Sequence, residues 1–375
     1  MEMSFFATAA KGVEEVLANE IRSLGIPDPC LEKGGVRFRG DLGACYKANL
    51  WLRTAQRILM PVAEFPCDSP ETLYEGVRSI PWTRFLTPDM TLAVSCNLRD
   101  SAMTHSGFTA LKTKDAIVDS IRDSHGRRPN VDTVDPDLLV NVHLVRNRCT
   151  VSLDTSGTGL DKRGYRLETK EAPLRETLAA AIIELSGWDG TSTLVDPLCG
   201  SGTIPIEAAL KASRRPPGLI RSGYGFQRWP AYDASLWRNI FREAREQALS
   251  ELPVSILGSD ASSGAIRNAR RNAERAGIAQ FVTFGNRDIG DVSPPPSPGI
   301  VLCNPPYGVR LGEEEALKPL YKKIGDMLKR RFNGYTAFLL VGNAALAPCI
   351  GLKASRRIVL FNGPIECRLL RYELY

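Results

Sequence analysis

Thr193-Leu194-Val195-Asp196-Pro197-Leu198-Cys199-Gly200-Ser201-Gly202-Thr203 reads as a buried strand, a glycine loop and a helix start. Ile204-Pro205-Ile206-Glu207-Ala208-Ala209-Leu210 carries the helix onward. Gly200 and Gly202 let the backbone approach a ligand closely and adopt positive φ. The free N–H groups of a helix start favour an anionic or carboxylate-bearing ligand. The dinucleotide pattern Gly-x-Gly-x-x-Gly is absent, and so is the Gly-Lys-Ser/Thr of a phosphate-binding loop. A dinucleotide site also wants an acid about 20 residues further on. Here the next strand-end acid, Asp260, lies much further on, beyond an Arg-rich helical insertion. A third strand-end acid, Asp288, follows Phe281-Val282-Thr283-Phe284.

Downstream, Ile300-Val301-Leu302 runs into Asn304-Pro305-Pro306-Tyr307. An Asn carbonyl beside a prolyl carbonyl can accept both hydrogens of an exocyclic amine. A Tyr ring can stack on the base that carries it. The tetrad therefore points to chemistry on a planar NH2 group. Taken alone, Asn-Pro-Pro is equally a turn, and each Asp alone is equally a cap or turn residue.

The order of these four motifs resembles class I S-adenosylmethionine-dependent methyltransferases of the amino-methylating kind. The resemblance implies a Rossmann-like α/β sheet, with Asp196, Cys199, Gly200, Ser201, Gly202 and Thr203 under the methionine part of the cofactor. It places the ribose hydroxyls on Asp260 and the adenine amine on Asp288. Thr177 and Arg175, at the start of a helix entered through Ala172-Pro173, border the same pocket by resemblance. Capping and surface charge are their plain alternative. Cys199 has no nearby His in sequence and reads as a small loop residue, not a nucleophile.

At 375 residues the chain is long enough for two or three domains. It is 43% hydrophobic and 24% charged, which predicts a globular protein. Its net charge of +6 permits nucleic-acid binding without establishing it. Nine Cys without Cys-x-x-Cys and only three His argue against a zinc site or a disulfide framework. A reducing cytoplasm fits, and no metal is expected. No apolar run is long and unbroken enough for a membrane span, and no signal peptide is expected.

The first 65 residues alternate strand and helix: Met3 to Ala9, Lys11 to Leu24, Val36 to Arg39, then a helix capped by Asp41. This predicts a small ferredoxin-like α+β module. Residues 66–158 hold a strand at Thr91 to Cys96, a helix from Thr109 to Ile121 and paired strands at 138–144 and 149–153. They resemble a THUMP RNA-binding domain, on Lys112-Thr113-Lys114-Asp115-Ala116-Ile117-Val118-Asp119 and Arg128-Pro129-Asn130-Val131-Asp132. Lys112, Lys114 and Arg128 are then candidate phosphate contacts, or else a solvated face. Lysines opening a helix are locally unfavourable. A linker at 159–174 carries Arg163 and Arg166, which are RNA-backbone contacts or plain loop charges. Residues 175–375 form a wound sheet with strands ending at Asp196, Asp260, Phe284, Leu302 and Val341. A stiff loop, Pro294-Pro295-Pro296-Ser297-Pro298, precedes the fourth strand, and a hairpin at Asn362-Gly363 closes the chain.

Nearly the whole chain is similar to the bacterial 23S ribosomal RNA guanine-N2-methyltransferases. The match rests on Arg163-Gly164-Tyr165-Arg166, Glu176-Thr177-Leu178-Ala179-Ala180-Ala181, Asp196 to Thr203, Asn304 to Gly308 and Asn362-Gly363-Pro364. It implies transfer of a methyl group from S-adenosylmethionine to guanine N2 in RNA, with no obligate protein partner. Asn304 Oδ1 and the Pro305 carbonyl would hold the amine, and Tyr307 would stack on the base. Some family members carry a second methyltransferase domain that makes 7-methylguanosine. With the sequence ending at Tyr375, that activity is expected to be missing. A tRNA guanine-N2-methyltransferase, a DNA adenine methyltransferase and a non-catalytic RNA-binding or ribosome-assembly factor are the rival readings.

Overall fold

The computed structural model describes residues 2–166, 174–295, 298–308 and 313–375. The chain opens with β1 (Met3–Thr8), α1 (Glu14–Ser23), β2 (Cys30–Glu32), β3 (Gly35–Gly40), α2 (Leu42–Trp51) and β4 (Arg57–Pro66). Next come α3 (Pro70–Arg78), β5 (Thr91–Arg99), α4 (Ser106–His125), β6 (Asn130–Val131), β7 (Leu138–Val145) and β8 (Arg148–Asp154). The second half holds α5 (Glu176–Leu185), β9 (Thr193–Asp196), α6 (Thr203–Ala212), α7 (Ala234–Glu246), β10 (Ile256–Asp260) and α8 (Ser263–Arg275). It ends with β11 (Val282–Asn286), β12 (Gly299–Cys303), α9 (Glu313–Arg331), β13 (Thr336–Val341), β14 (Arg356–Asn362) and β15 (Ile365–Glu373).

Among the described residues, the amino-terminal strands make one sheet in the order β2-β3-β1-β4-β8-β7-β5-β6. The strand β4 is shared. Its first residues pair with β1, and Leu59 to Pro66 pair with β8. A module boundary between residues 65 and 66 therefore falls inside β4, and one sheet runs through both predicted modules. Pro61 hides this strand from pattern reading. The ladder shifts register between Pro61 and Ala63, the kind of irregularity where a sheet tolerates proline. The helix α4 begins at Ser106, where His105 Nδ1 accepts the Phe108 N–H. Lys112 and Lys114 thus lie in the body of the helix rather than at its start, and the dipole objection to them lapses.

The second sheet has the order β11-β10-β9-β12-β13-β15-β14. The strands β9 to β13 are parallel, and β15 runs antiparallel to both β13 and β14. This is the wound sheet with a closing hairpin that the sequence predicts. Gly363 makes the hairpin turn at φ +62°. The order reverses between β9 and β12, so this sheet's switch point lies where the glycine loop and the Asn-Pro-Pro-Tyr tetrad leave it. The helix entry at Ala172-Pro173 lies outside the described residues, and so do Pro296 and Ser297 of the proline loop.

The Arg-rich insertion between α6 and β10 packs away from its own sheet. Its aromatic side chains join the core of the amino-terminal half, around Tyr46 of α2. Tyr46 stacks on Phe226 at 4.4 Å between ring centroids and meets Trp237 of α7 edge-on at 5.8 Å. Asp233 caps α7 by accepting the Ser235 and Leu236 N–H groups, and its own N–H donates to the Tyr46 hydroxyl. Arg53, buried at the same seam, donates from Nη2 to the Leu210 and Arg215 carbonyls. The two halves therefore share one apolar core as well as a covalent link.

Candidate active site

The glycine loop is tied to β10 from below. Cys199 donates its N–H to the Ser259 carbonyl, and Gly200 donates its N–H to Asp260 Oδ2 at 3.0 Å. Asp260 Oδ1 accepts the Ser262 N–H at 2.8 Å. Asp260 thus fixes the loop through one oxygen and the start of α8 through the other. Each carboxylate oxygen keeps lone-pair capacity for a hydroxyl. Gly200 has φ +52° and Gly202 has φ +87°. A β-carbon on Gly200 would enter open space, whereas one on Gly202 would press on Ala269 and Phe284. Gly200 is therefore the point of close ligand approach, and Gly202 serves packing.

Asp196 is 1% exposed, and burial pushes its carboxyl well above the ordinary range, against a hydrogen bond from the Leu198 N–H. Cys199 is buried in the core beneath the loop, and burial pushes its thiol up. Its side chain is no nucleophile, and its N–H is already committed, so neither group is offered to a ligand. Thr203 accepts a hydrogen bond from Arg166 at 3.0 Å. Asn272 Nδ2 donates to the Ser201 carbonyl. These contacts hold the loop in shape and leave the first-turn N–H groups of Thr203 and Ile204 without intrahelical partners.

Asp288 follows β11 and caps a short 3-10 turn by accepting the Gly290 N–H at 2.8 Å. Lys323 of α9 pairs with the same oxygen at 2.5 Å. That ammonium, ahead of the Gly290 N–H, holds the carboxyl below its usual range. Asp260 and Asp288 thus both sit at carboxyl ends of neighbouring strands, on the side of the sheet where the glycine loop lies.

The tetrad leaves β12 beside that loop, because β12 pairs directly with β9. The Tyr307 hydroxyl donates to Asn304 Oδ1 at 2.7 Å. Asn362 Nδ2, from the hairpin turn, donates to the Tyr307 oxygen at 3.4 Å. The Tyr307 ring lies against the Gly342 backbone, where a β-carbon would come within 2.4 Å of Cγ. Burial raises the Tyr307 phenol, so it stays a donor across the physiological range. Buried Tyr321 of α9 donates to the Pro306 carbonyl at 3.0 Å. The structure thus gives Tyr307 an orienting contact in addition to the stacking expected of it. Asn362, Gly342, Tyr321 and Lys323 were not singled out as site residues. Only Asn362 carried a signal, as part of Asn-Gly-Pro.

Two of the proposed RNA contacts are corrected. Arg163 is 1% exposed and lies inside the fold, donating to the Leu160 and Arg53 carbonyls and pairing with Glu207 at 3.5 Å. Arg166 pairs with Glu176 at 3.0 Å and braces Thr203. Neither guanidinium is free to meet a phosphate. The other three are on the surface, each with a partner. Lys112 Nζ sits 4.9 Å from the Tyr74 ring centre, Lys114 pairs with Asp115, and Arg128 reaches Asp119 at 3.5 Å.

Comparison with known proteins decides the family. The RMKL-like methyltransferase domain matches residues 163–371, the RlmL ferredoxin-like domain residues 4–59 and the THUMP domain residues 67–154. The chain belongs to the RMKL-like methyltransferase family. A provisionally named RNA methyltransferase of Synechocystis sp. is 41% identical over 99% of this chain and 97% of its own length. The ribosomal RNA large subunit methyltransferase K/L of Methylococcus capsulatus is 44% identical over 100% of this chain. This RMKL-like chain spans about half of that relative, 52% of its length. The crystal structure of SMU.472, a provisionally assigned methyltransferase complexed with SAH, is 33% identical. It has a TM-score of 0.91, covering 100% of this chain and 98% of that one. The RMKL-like family and this neighbour make the second sheet a class I methyltransferase sheet, preceded by ferredoxin-like and THUMP elements.

Proposed function

We propose that the protein transfers a methyl group from S-adenosylmethionine to the exocyclic N2 of a guanosine in 23S ribosomal RNA, in the cytoplasm. The observation that carries the reading is Asn304 Oδ1, oriented by Tyr307 at the sheet's switch point beside a glycine loop open at Gly200. Relatives named for large-subunit ribosomal RNA support the substrate. The open face at Gly200, with Asp260 and Asp288 at the next two strand ends, fits the cofactor. The cofactor supplies an electrophilic methyl group.

The N2 lone pair of guanine is delocalised into the ring and is a weak nucleophile. Tyr307 occupies one lone pair of Asn304 Oδ1, which leaves the other for an amine hydrogen. The Pro305 carbonyl takes the second hydrogen. Holding both aims the nitrogen lone pair out of the base plane. No strong base is needed first, because the methylated amine is acidic and releases its proton to solvent. Positioning of this kind recovers about 7–11 kcal/mol of barrier in well-oriented systems. A target within a helix must first be flipped out, at a cost of a few kcal/mol.

Asn304→Ala tests the assignment. S-adenosylhomocysteine binding, measured by calorimetry, should persist while single-turnover methylation falls at least about a hundredfold, a loss near 2.7 kcal/mol. Unchanged single-turnover methylation would remove Asn304 from the mechanism.

A further inference from the structure

A cavity of about 360 Å³ opens between the loop after β1, the first turn of α5 and the tip of the β14–β15 hairpin. Its walls include Lys11, Arg175, Thr177, Phe361 and Gly363. Lys11 is exposed, with Nζ 4.4 Å from the centre of the Phe361 ring. Arg175 is half exposed and pairs with Asp161 at a loose 3.6 Å. The ten-residue helix α5 starts here without a side-chain cap, so its positive end adds to the two cations.

A separate observation points to a ligand. Thr177 is 2% exposed, and its hydroxyl has no hydrogen-bond partner among the described residues. Buried hydroxyls are normally satisfied. The cavity wall thus combines two cations, a helix start and an orphaned hydroxyl, and includes no carboxylate. Such a wall suits an anion with several acceptor oxygens.

The place of the cavity narrows the choice of anion. Gly363 follows Asn362, whose amide reaches the Tyr307 hydroxyl that orients Asn304. None of the glycine-loop residues 197–203 is among the lining residues. The anion therefore sits on the hairpin side of the tetrad.

We propose that this cavity binds one backbone phosphate of the RNA nucleotide whose base is presented to Asn304. The inference rests on RNA being the substrate. It moves Thr177 from the cofactor to the RNA, and it makes the seam between the amino-terminal module and the methyltransferase sheet part of the substrate site.

The test is the doubly substituted full chain, Lys11→Gln with Arg175→Gln, and unmodified large-subunit ribosomal RNA transcript. The variant should show an RNA KM raised about tenfold, with S-adenosylhomocysteine affinity within about twofold of the parent. The slope of log affinity against log salt should become shallower by about 0.7, the value for one single-strand phosphate. Retained S-adenosylhomocysteine binding shows that the variant is folded, and Lys11→Arg alone should behave as the parent. Unchanged RNA KM and salt slope, beside a parent that methylates the RNA, overturns the site alone. Loss of S-adenosylhomocysteine affinity instead assigns the cavity to the cofactor carboxylate and also overturns it. A parent that methylates no RNA removes the substrate reading beneath it.

Discussion

The Tyr307 hydroxyl donates to Asn304 Oδ1 at 2.7 Å, and Asn362 Nδ2 donates to the same Tyr307 oxygen at 3.4 Å. The direction of this chain matters. An amide N–H can only donate, so the Tyr307 proton is left to point at Asn304. That pins an acceptor, rather than an NH2 group, at the place where an amine must be received. The hairpin tip thereby reaches the chemistry through two hydrogen bonds.

Tyr307→Phe keeps the ring on Gly342 and removes only the hydroxyl. The Asn304 amide then loses its orienting donor. The single-turnover rate should fall about 10- to 30-fold, or ~1.4–2 kcal/mol, the worth of one well-placed hydrogen bond. Cofactor affinity should not change. Stopped reactions at saturating RNA read the rate, and an unaltered rate would leave the hydroxyl without a role in positioning.

Burial pushes the Asp196 carboxyl well above its ordinary 3.8, with the Asp260 charge adding to the rise. The folded chain therefore holds this proton over a pH range in which the unfolded chain has lost it. Stability drains away as pH climbs from the unfolded value through the raised folded one. Asp196→Asn ends that titration and keeps an acceptor for the Leu198 N–H. Its Tm should gain on the parent more at about pH 8 than at about pH 4. Thermal unfolding at the two pH values checks this, and a gap that shrinks with rising pH would reverse the sign.

Trp237 meets both Tyr46 and Phe226 edge-on, at 5.8 and 5.3 Å, in the core that joins the insertion to the amino-terminal half. Trp237→Ala should cost about 3–5 kcal/mol in denaturant unfolding. S-adenosylhomocysteine affinity should be retained, because the lost contacts lie on the far half of the molecule. A loss below about 1 kcal/mol would show that the aromatic cluster is not a seam.

What could be read from sequence follows the physics of each element. The strands β9, β10 and β12 are short apolar runs that end at Asp196, Asp260 and the Asn304 tetrad, so sequence places both the sheet and the site motifs. The hairpin at Gly363 is legible because Asn-Gly suits its turn. The strand β4 is not, since Pro61 interrupts the alternation and its role depends on partners 50 to 100 residues away. Arg163 and Arg166 look like free linker charges until the fold supplies Glu207 and Glu176. The insertion shows only its arginines in sequence. Its Tyr224, Phe226 and Trp237 are too scattered to reveal a shared face with Tyr46. The Tyr307–Asn304 bond is local, yet Asn362 joins it only through tertiary packing.

The most direct test identifies the methylated nucleoside. The protein is incubated with methyl-labelled S-adenosylmethionine and, separately, unmodified 23S ribosomal RNA, tRNA and DNA, and each nucleic acid is digested to nucleosides. The account predicts label in N2-methylguanosine from 23S ribosomal RNA. Label in N2-methylguanosine from tRNA alone, or in N6-methyladenosine from DNA, would contradict it.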